Sequence, residues 1–188
     1  NVSGTSYNWA VPNMVNNSSN SLFVIIFSVL VGLVWLWLSK RNKEPNTVVK
    51  FGIAFLFLSA GFYIFYYTRF FADANGITSL NVFTLAWFVI TFGELCLSPI
   101  GMSIVTKLSP KHLSGMMMGL WFLASAYGQY FAGLLGAGMS TPDNNASLVE
   151  KLKSYTDGYY QLAVYALIAG VILIVISPMI RKMMYEVK

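Results

Sequence analysis

The chain has 188 residues, of which 56% are hydrophobic and only 10% charged, and it carries a net charge of +5. A soluble domain holds roughly 25% charged residues, so this composition excludes an ordinary globular domain and reads as membrane-embedded. The basic excess is concentrated in alternate connections between apolar stretches, which excludes a nucleic-acid surface and has the form of a topological signal.

Residues 1–20 are polar, rich in Asn and Ser, and predict an external loop without a cleavable signal peptide. The start on Asn1, with no initiating Met, reads as a piece of a longer or processed chain. Five stretches then reach the length needed to cross a hydrocarbon layer of about 30 Å. They are Ser21–Ser39, Phe51–Thr68, about Leu80–Val105, Leu113–Ala137 and Gly158–Ile180. Lys50 and Arg69 bracket the second and are expected to reach the two interfaces.

The connections have their own signals. Lys40–Asn46 is a short basic turn with Asn46 as a helix N-cap. Arg69–Ser79 turns through Asp73-Ala74-Asn75-Gly76. Between the third and fourth spans, Ser109 fits an N-cap and Pro110 the first helical position. Residues 138–157 form the longest loop, where Ser147 and Glu150 make a capping-box pattern and predict a short external helix on the membrane surface. On one side stand Lys40, Arg41, Lys43, Lys50, Lys107, Lys111, Arg181, Lys182 and Lys188, against Arg69, Lys151 and Lys153 on the other. That asymmetry puts residues 1–20 outside and the C-terminus in the cytoplasm.

Within the third span, Glu94 is the only charge between Ala74 and Lys107. An ionisable group at membrane depth costs at least about 2.5–3.5 kcal/mol on insertion scales and normally faces a cavity or a partner. Ser98 follows four residues later and Gly101 seven, so the three share a helical face, with Trp87 and Thr91 on or near the same stripe. Pro99 withholds a donor from the Leu95 carbonyl, so the helix should bend or open there. A carboxylate, a hydroxyl and a proline break within six residues describe a polar, water-accessible wall, as in transporter sites and hinges. The bland alternative is a buried Glu paired with a structural cation.

The fourth span carries Gly115, Gly119, Ala124, Gly128, Ala132 and Gly136, a small-residue stripe that predicts close helix packing. Trp121 lies between its two halves and reads either as an interface anchor or as a pocket aromatic. Cys96 is alone, so no internal disulfide can form. His112 sits beside Lys111 and reads as solvated. No metal-ligand spacing, nucleophile triad or phosphate-binding loop is present, so neither a metal nor a cofactor is expected.

Gly93-Glu94-Leu95-Cys96-Leu97-Ser98-Pro99-Ile100-Gly101, Lys107-Leu108-Ser109-Pro110 and Met117-Met118-Gly119-Leu120-Trp121-Phe122-Leu123 closely resemble the proton-dependent oligopeptide transporter family. Asn20-Ser21-Leu22-Phe23-Val24-Ile25 is similar to the family's Asn-Pro-Leu-Phe-Ile-Ile segment, with serine in place of proline. The resemblance implies an all-α transmembrane fold, the eighth to twelfth helices of a twelve-helix major facilitator protein. It implies that Glu94 receives the α-ammonium of a peptide, that Asn20 hydrogen-bonds the same end, and that Ser98 and Trp121 line the pocket. Pro99 and Gly101 become hinge or gating positions. The partners implied are di- and tripeptides, protons as the coupling ion, membrane lipid and the missing N-terminal helices, in the plasma (inner) membrane. Two rivals follow from the same residues: a carrier of another small solute on this scaffold, and a non-transporting peptide sensor or scaffold. An enzyme is disfavoured, because Glu94 has no nucleophile, base pair or metal set around it.

Overall fold

A computed structural model describes residues 2–4, 7–10, 13–43, 45–73, 78–139 and 147–183, with side chains from residue 21 onward. Five helices dominate it: α1 (Asn13–Lys40), α2 (Thr47–Tyr67), α3 (Leu80–Leu108), α4 (Ser114–Met139) and α5 (Leu148–Met183). α1, α2, α3 and α5 are long and apolar enough to cross a membrane. α4 has the length, at 26 residues, but its glycines, serines and glutamine dilute its apolarity.

The N-terminal segment departs from the expected loop. β1 (Val2–Gly4) pairs antiparallel with β2 (Tyr7–Ala10) and parallel with β3 (Thr78–Ser79), giving the order β2-β1-β3. Val2 lies opposite Thr78 and Ser3 opposite Ser79, which ties the start of the chain to the entrance of α3. Such short pairings use backbone groups alone, so no apolar alternation announces them. α1 also begins at Asn13, well before the first apolar residue of the predicted span.

α2 is the centre of the packing, with α5 on one side and α3 on the other, while α1 lies along α3. Two close approaches explain why these helices meet. A Cβ on Gly52 would stand 3.1 Å from the Gly170 carbonyl oxygen, and one on Gly170 would stand 3.1 Å from that of Gly52. A Cβ on Gly93 would stand 2.9 Å from the Ala54 carbonyl oxygen. Such backbone proximity is how membrane helices gain van der Waals contact where lipid removes the hydrophobic incentive. The Ser59 hydroxyl adds a 2.7 Å bond to the Ala163 carbonyl across α2 and α5.

The stripe predicted to pack does not do so here. A Cβ on Gly115, Gly119, Gly128 or Gly136 would meet nothing within 4 Å, and α4 contains no buried residue. Among the described residues, the tight interfaces fall instead on isolated glycines of α2, α3 and α5.

Local capping mostly follows the expected chemistry. The Asn46 side chain accepts from the Val48 N–H at 3.3 Å. The Ser147 hydroxyl accepts from the Glu150 N–H at 3.2 Å, and the Glu150 carboxylate accepts from the Ser147 N–H at 2.9 Å. That box does not open a separate surface helix, however; it opens α5, which continues for 36 residues. Nor does Ser109 cap α4. Its N–H and its hydroxyl both donate back to the Val105 carbonyl, so it closes α3, and a 3-10 turn at Lys111–Leu113 precedes α4. The Asp73-Ala74-Asn75-Gly76 turn lies largely outside the described residues.

Candidate functional site

α3 carries most of the sequence-predicted site. Its Thr91, fully buried, donates its hydroxyl to the Trp87 carbonyl at 2.9 Å, which lets a polar side chain sit within an apolar helix. One turn further on, Glu94 is half-buried, and it is engaged with partners, as are Thr91 and Lys50. Ser98 and Pro99 are exposed, whereas Gly101 is buried. At a rise of about 1.5 Å per residue, Glu94 and Gly101 are roughly 10 Å apart along the same side of α3.

The expected opening at Pro99 is absent, because α3 is helical from Leu80 through Leu108 without interruption. Among the described residues, the proline ring lies on an exposed part of the helix surface. The Leu95 carbonyl still lacks its intrahelical donor.

Gly101 has a more specific role than a hinge. The Trp121 indole of α4 lies directly on it: Cζ2 is 2.6 Å from where a Cβ would stand, and Cη2 is closer still. Phe51 Cζ of α2 is 3.3 Å from the same point. The structure therefore unites two predicted residues, Gly101 and Trp121, at a junction of α2, α3 and α4. A side chain there would have to displace the indole, which fills the space. Trp121 itself is half-buried, and the neighbouring Ser125 hydroxyl donates to its carbonyl at 3.0 Å. Asn20 stands on α1, but its side chain lies outside the described residues.

Sequence reasoning missed Lys50. Its place at the end of an apolar run predicts an interfacial side chain, yet it is 8% exposed, and its Nζ lies 4.7 Å from the centroid of the Trp35 ring on α1. Glu94 is thus not the only ionisable group drawn into the helical bundle. The available signal was position: Lys50 follows the Asn46 cap by four residues, so it stands inside α2 and not in the turn before it.

Two other features flank these residues. Arg69, in the 3-10 turn Thr68–Phe71 that follows α2, pairs with Asp157 of α5 at 2.8 Å, donates to the Tyr66 hydroxyl at 2.6 Å and lies over the Tyr66 ring. A cleft of about 410 Å³ separates α4 from α5, with Asp157, Gln161, Tyr165 and Ser154 among its walls. None of Glu94, Ser98 and Trp121 lines it. Among the described residues, no group of three or more His, Cys, Asp or Glu side chains could hold a metal ion.

A sequence profile described as the POT family matches residues 1–156. The chain is 30% identical over 176 residues to the peptide transporter YePEPT of Yersinia enterocolitica, covering 93% of this chain and 33% of that protein. It is 29% identical over 171 residues to dipeptide and tripeptide permease A of Chromobacterium violaceum, covering 91% and 34% respectively. The chain thus spans about a third of the length of the curated relatives it matches. Among solved structures, peptide transporter POT in complex with sulfate superposes with a TM-score of 0.71 at 30% identity, over 87% of this chain and 30% of that one.

Proposed function

The chain belongs to the POT family, the proton-dependent oligopeptide transporters, and from that membership we propose that it forms the C-terminal part of a proton-coupled symporter of di- and tripeptides. It supplies α1 to α5 as the eighth to twelfth helices of a twelve-helix carrier that works by alternating access in the plasma (inner) membrane, with its C-terminus in the cytoplasm. The observation that carries this reading is Glu94. A half-buried carboxylate within an apolar helix shares its face with a glycine seat occupied by an aromatic ring from the next helix.

Glu94 receives the α-ammonium of the peptide. A carboxylate accepts short, charge-assisted hydrogen bonds from an ammonium group. Glu94 therefore pairs with the ammonium group as substrate arrives, while the coupling proton crosses together with the peptide on the complete carrier. Ser98 extends the polar face by one turn, and Asn20 on α1 bonds the same end of the peptide. Trp121 bounds the pocket from α4, with its position set by Gly101. The relatives named for peptide, dipeptide and tripeptide transport support this substrate class.

The test is proton-driven uptake by the complete protein carrying Glu94→Gln, which keeps shape and removes ionisation. Accumulation of a labelled dipeptide against its gradient should be lost, while unlabelled dipeptides compete in the wild type. Accumulation equal to wild type by the variant would remove Glu94 from the mechanism. Failure of any dipeptide to compete in the wild type would point to another solute.

A further inference from the structure

The basic residues at one end of the bundle are gathered by the fold as well as by the sequence. α1 ends in a closed turn: the Lys43 N–H donates to the Leu38 carbonyl and the Asn42 N–H to that of Ser39, both at 3.0 Å, with Asn42 in the left-handed region at φ 53°. Asparagine tolerates that conformation, and the paired bonds hold Lys43 in a defined place beyond the helix. Beside this turn, the Arg41 guanidinium lies 4.1 Å from the centre of the Trp37 ring. Asn46 then caps α2 and also directs its side-chain amide at the Ser177 carbonyl of α5, 3.5 Å away. Deeper in the same helix pair, Gly52 and Gly170 bring the two backbones together. Arg181 and Lys182 follow Ser177 by about one turn, so the end of α5 stands beside the α1–α2 connection. Residues 40–46 and 177–183 hold five cations, Lys40, Arg41, Lys43, Arg181 and Lys182, and one carboxylate, Glu44, which lies outside the described residues. Among the described residues no ion pair takes up any of the five.

We propose that this end of the bundle binds the phosphate headgroup of an anionic phospholipid. A connection between two membrane spans lies at the membrane face whatever helices complete the carrier, because loop backbone is not tolerated in contact with hydrocarbon. The cations therefore meet headgroups by their height in the bilayer. Height and charge alone would make them a topological signal. Arg41 is more than that, because its guanidinium is stacked on an indole. The stack restrains a long side chain and presents a planar fork of N–H donors that matches phosphate. Tryptophan settles at the headgroup level, so the pair sets that fork at the depth of the lipid phosphate. Lys43, fixed by the turn, and Arg181 and Lys182 from the other side add charge around it. Each Lys or Arg near an anionic surface raises association roughly fivefold. The inference rests on the chain being membrane-embedded, and on neither the peptide assignment nor the side of the membrane.

The experiment uses the complete transporter in detergent and counts retained lipids by native mass spectrometry. Phosphatidylglycerol and phosphatidylcholine with the same acyl chains are offered in equal amounts, so that only the headgroup differs. Phosphatidylglycerol should be retained in preference by about tenfold. Neutralising either side, as Arg41→Gln with Lys43→Gln or as Arg181→Gln with Lys182→Gln, should cut that preference by about threefold or more. Trp37→Leu should lower it with no change in charge. Lys107→Gln with Lys111→Gln removes the same charge from the α3–α4 connection and should leave the preference intact. Equal retention of the two lipids by the wild type overturns the site. An equal loss in the Lys107 and Lys111 variant overturns it too, by reducing the effect to general positive charge. Displacement of phosphatidylglycerol by excess inorganic phosphate would make this a site for a free anion and overturns the lipid assignment. Should one paired variant not fold, the other decides by the same ratio. Absence of dipeptide uptake in the wild type would remove the peptide reading and leave the lipid ratio standing.

Discussion

Gly101→Ala offers a sharp test of the junction between α3 and α4, because two effects of opposite sign meet at one methyl group. Within a helix, alanine is favoured over glycine by about 1 kcal/mol, so the change alone should stabilise α3. Against this, the new Cβ would stand 2.6 Å from Trp121 Cζ2, with Cη2 closer, and 3.3 Å from Phe51 Cζ. Overpacking of this kind costs typically about 1–3 kcal/mol, so the clash should win or nearly cancel the gain. Removing the indole removes the clash and leaves the helix preference. Gly101→Ala should therefore be neutral to destabilising in the complete transporter with Trp121 present and stabilising, by up to about 1 kcal/mol, in a Trp121→Ala background. Thermal unfolding of the four proteins gives the coupling directly, since the helix preference is common to both backgrounds and drops out of the cycle. A dipeptide KM that rises in Gly101→Ala alone would locate the displaced indole at the substrate. The same change in melting temperature with and without Trp121 would refute the seat.

Gly93→Ala should be worse than Gly101→Ala, because the atom 2.9 Å from its Cβ is the Ala54 backbone oxygen, which no rotamer change can move. The helix pair must part, costing about 1–3 kcal/mol or more, and a drop in melting temperature that Leu58→Ala abolished would show the wrong contact had been identified. Arg69→Ala should cost only about 0.5–1 kcal/mol, since Arg69 and Asp157 are 28% and 51% exposed. Most of that loss should vanish at about 1 M salt, where the screening length falls to about 3 Å, and an undiminished loss there would assign Arg69 to packing on Tyr66 instead.

The features legible in the sequence are those decided within one turn of the chain. Asn46 reaches the Val48 amide, and Ser147 and Glu150 exchange bonds with each other's backbone, so residue type and spacing suffice. The start of α3 at Leu80 and the shared face of Glu94, Ser98 and Gly101 follow from the same short-range geometry. Ser109 shows the limit even at this range, because a serine between two helices can cap the second or close the first. Its hydroxyl found the Val105 carbonyl of α3 before any free amide of α4.

What was not legible depends on which helix stands opposite. The glycines of α4 form a better stripe than those of α2, yet Gly52, Gly93 and Gly170 are the ones against neighbouring backbone. A stripe states that close packing is possible, not where its partner lies. Lys50 is the clearest case. A lysine in the first turn of a span can extend its stem to the interface and keep its hydration, and nothing nearby in sequence forbids that. It turns inward, with its ammonium over the face of Trp35, a residue earlier in the chain and on another helix, and attraction of a cation to a ring is stronger in a desolvated site than at a wet surface. Glu94 was visible from its isolation within an apolar run, whereas the buried lysine could be found only once α1 and α2 had been brought together.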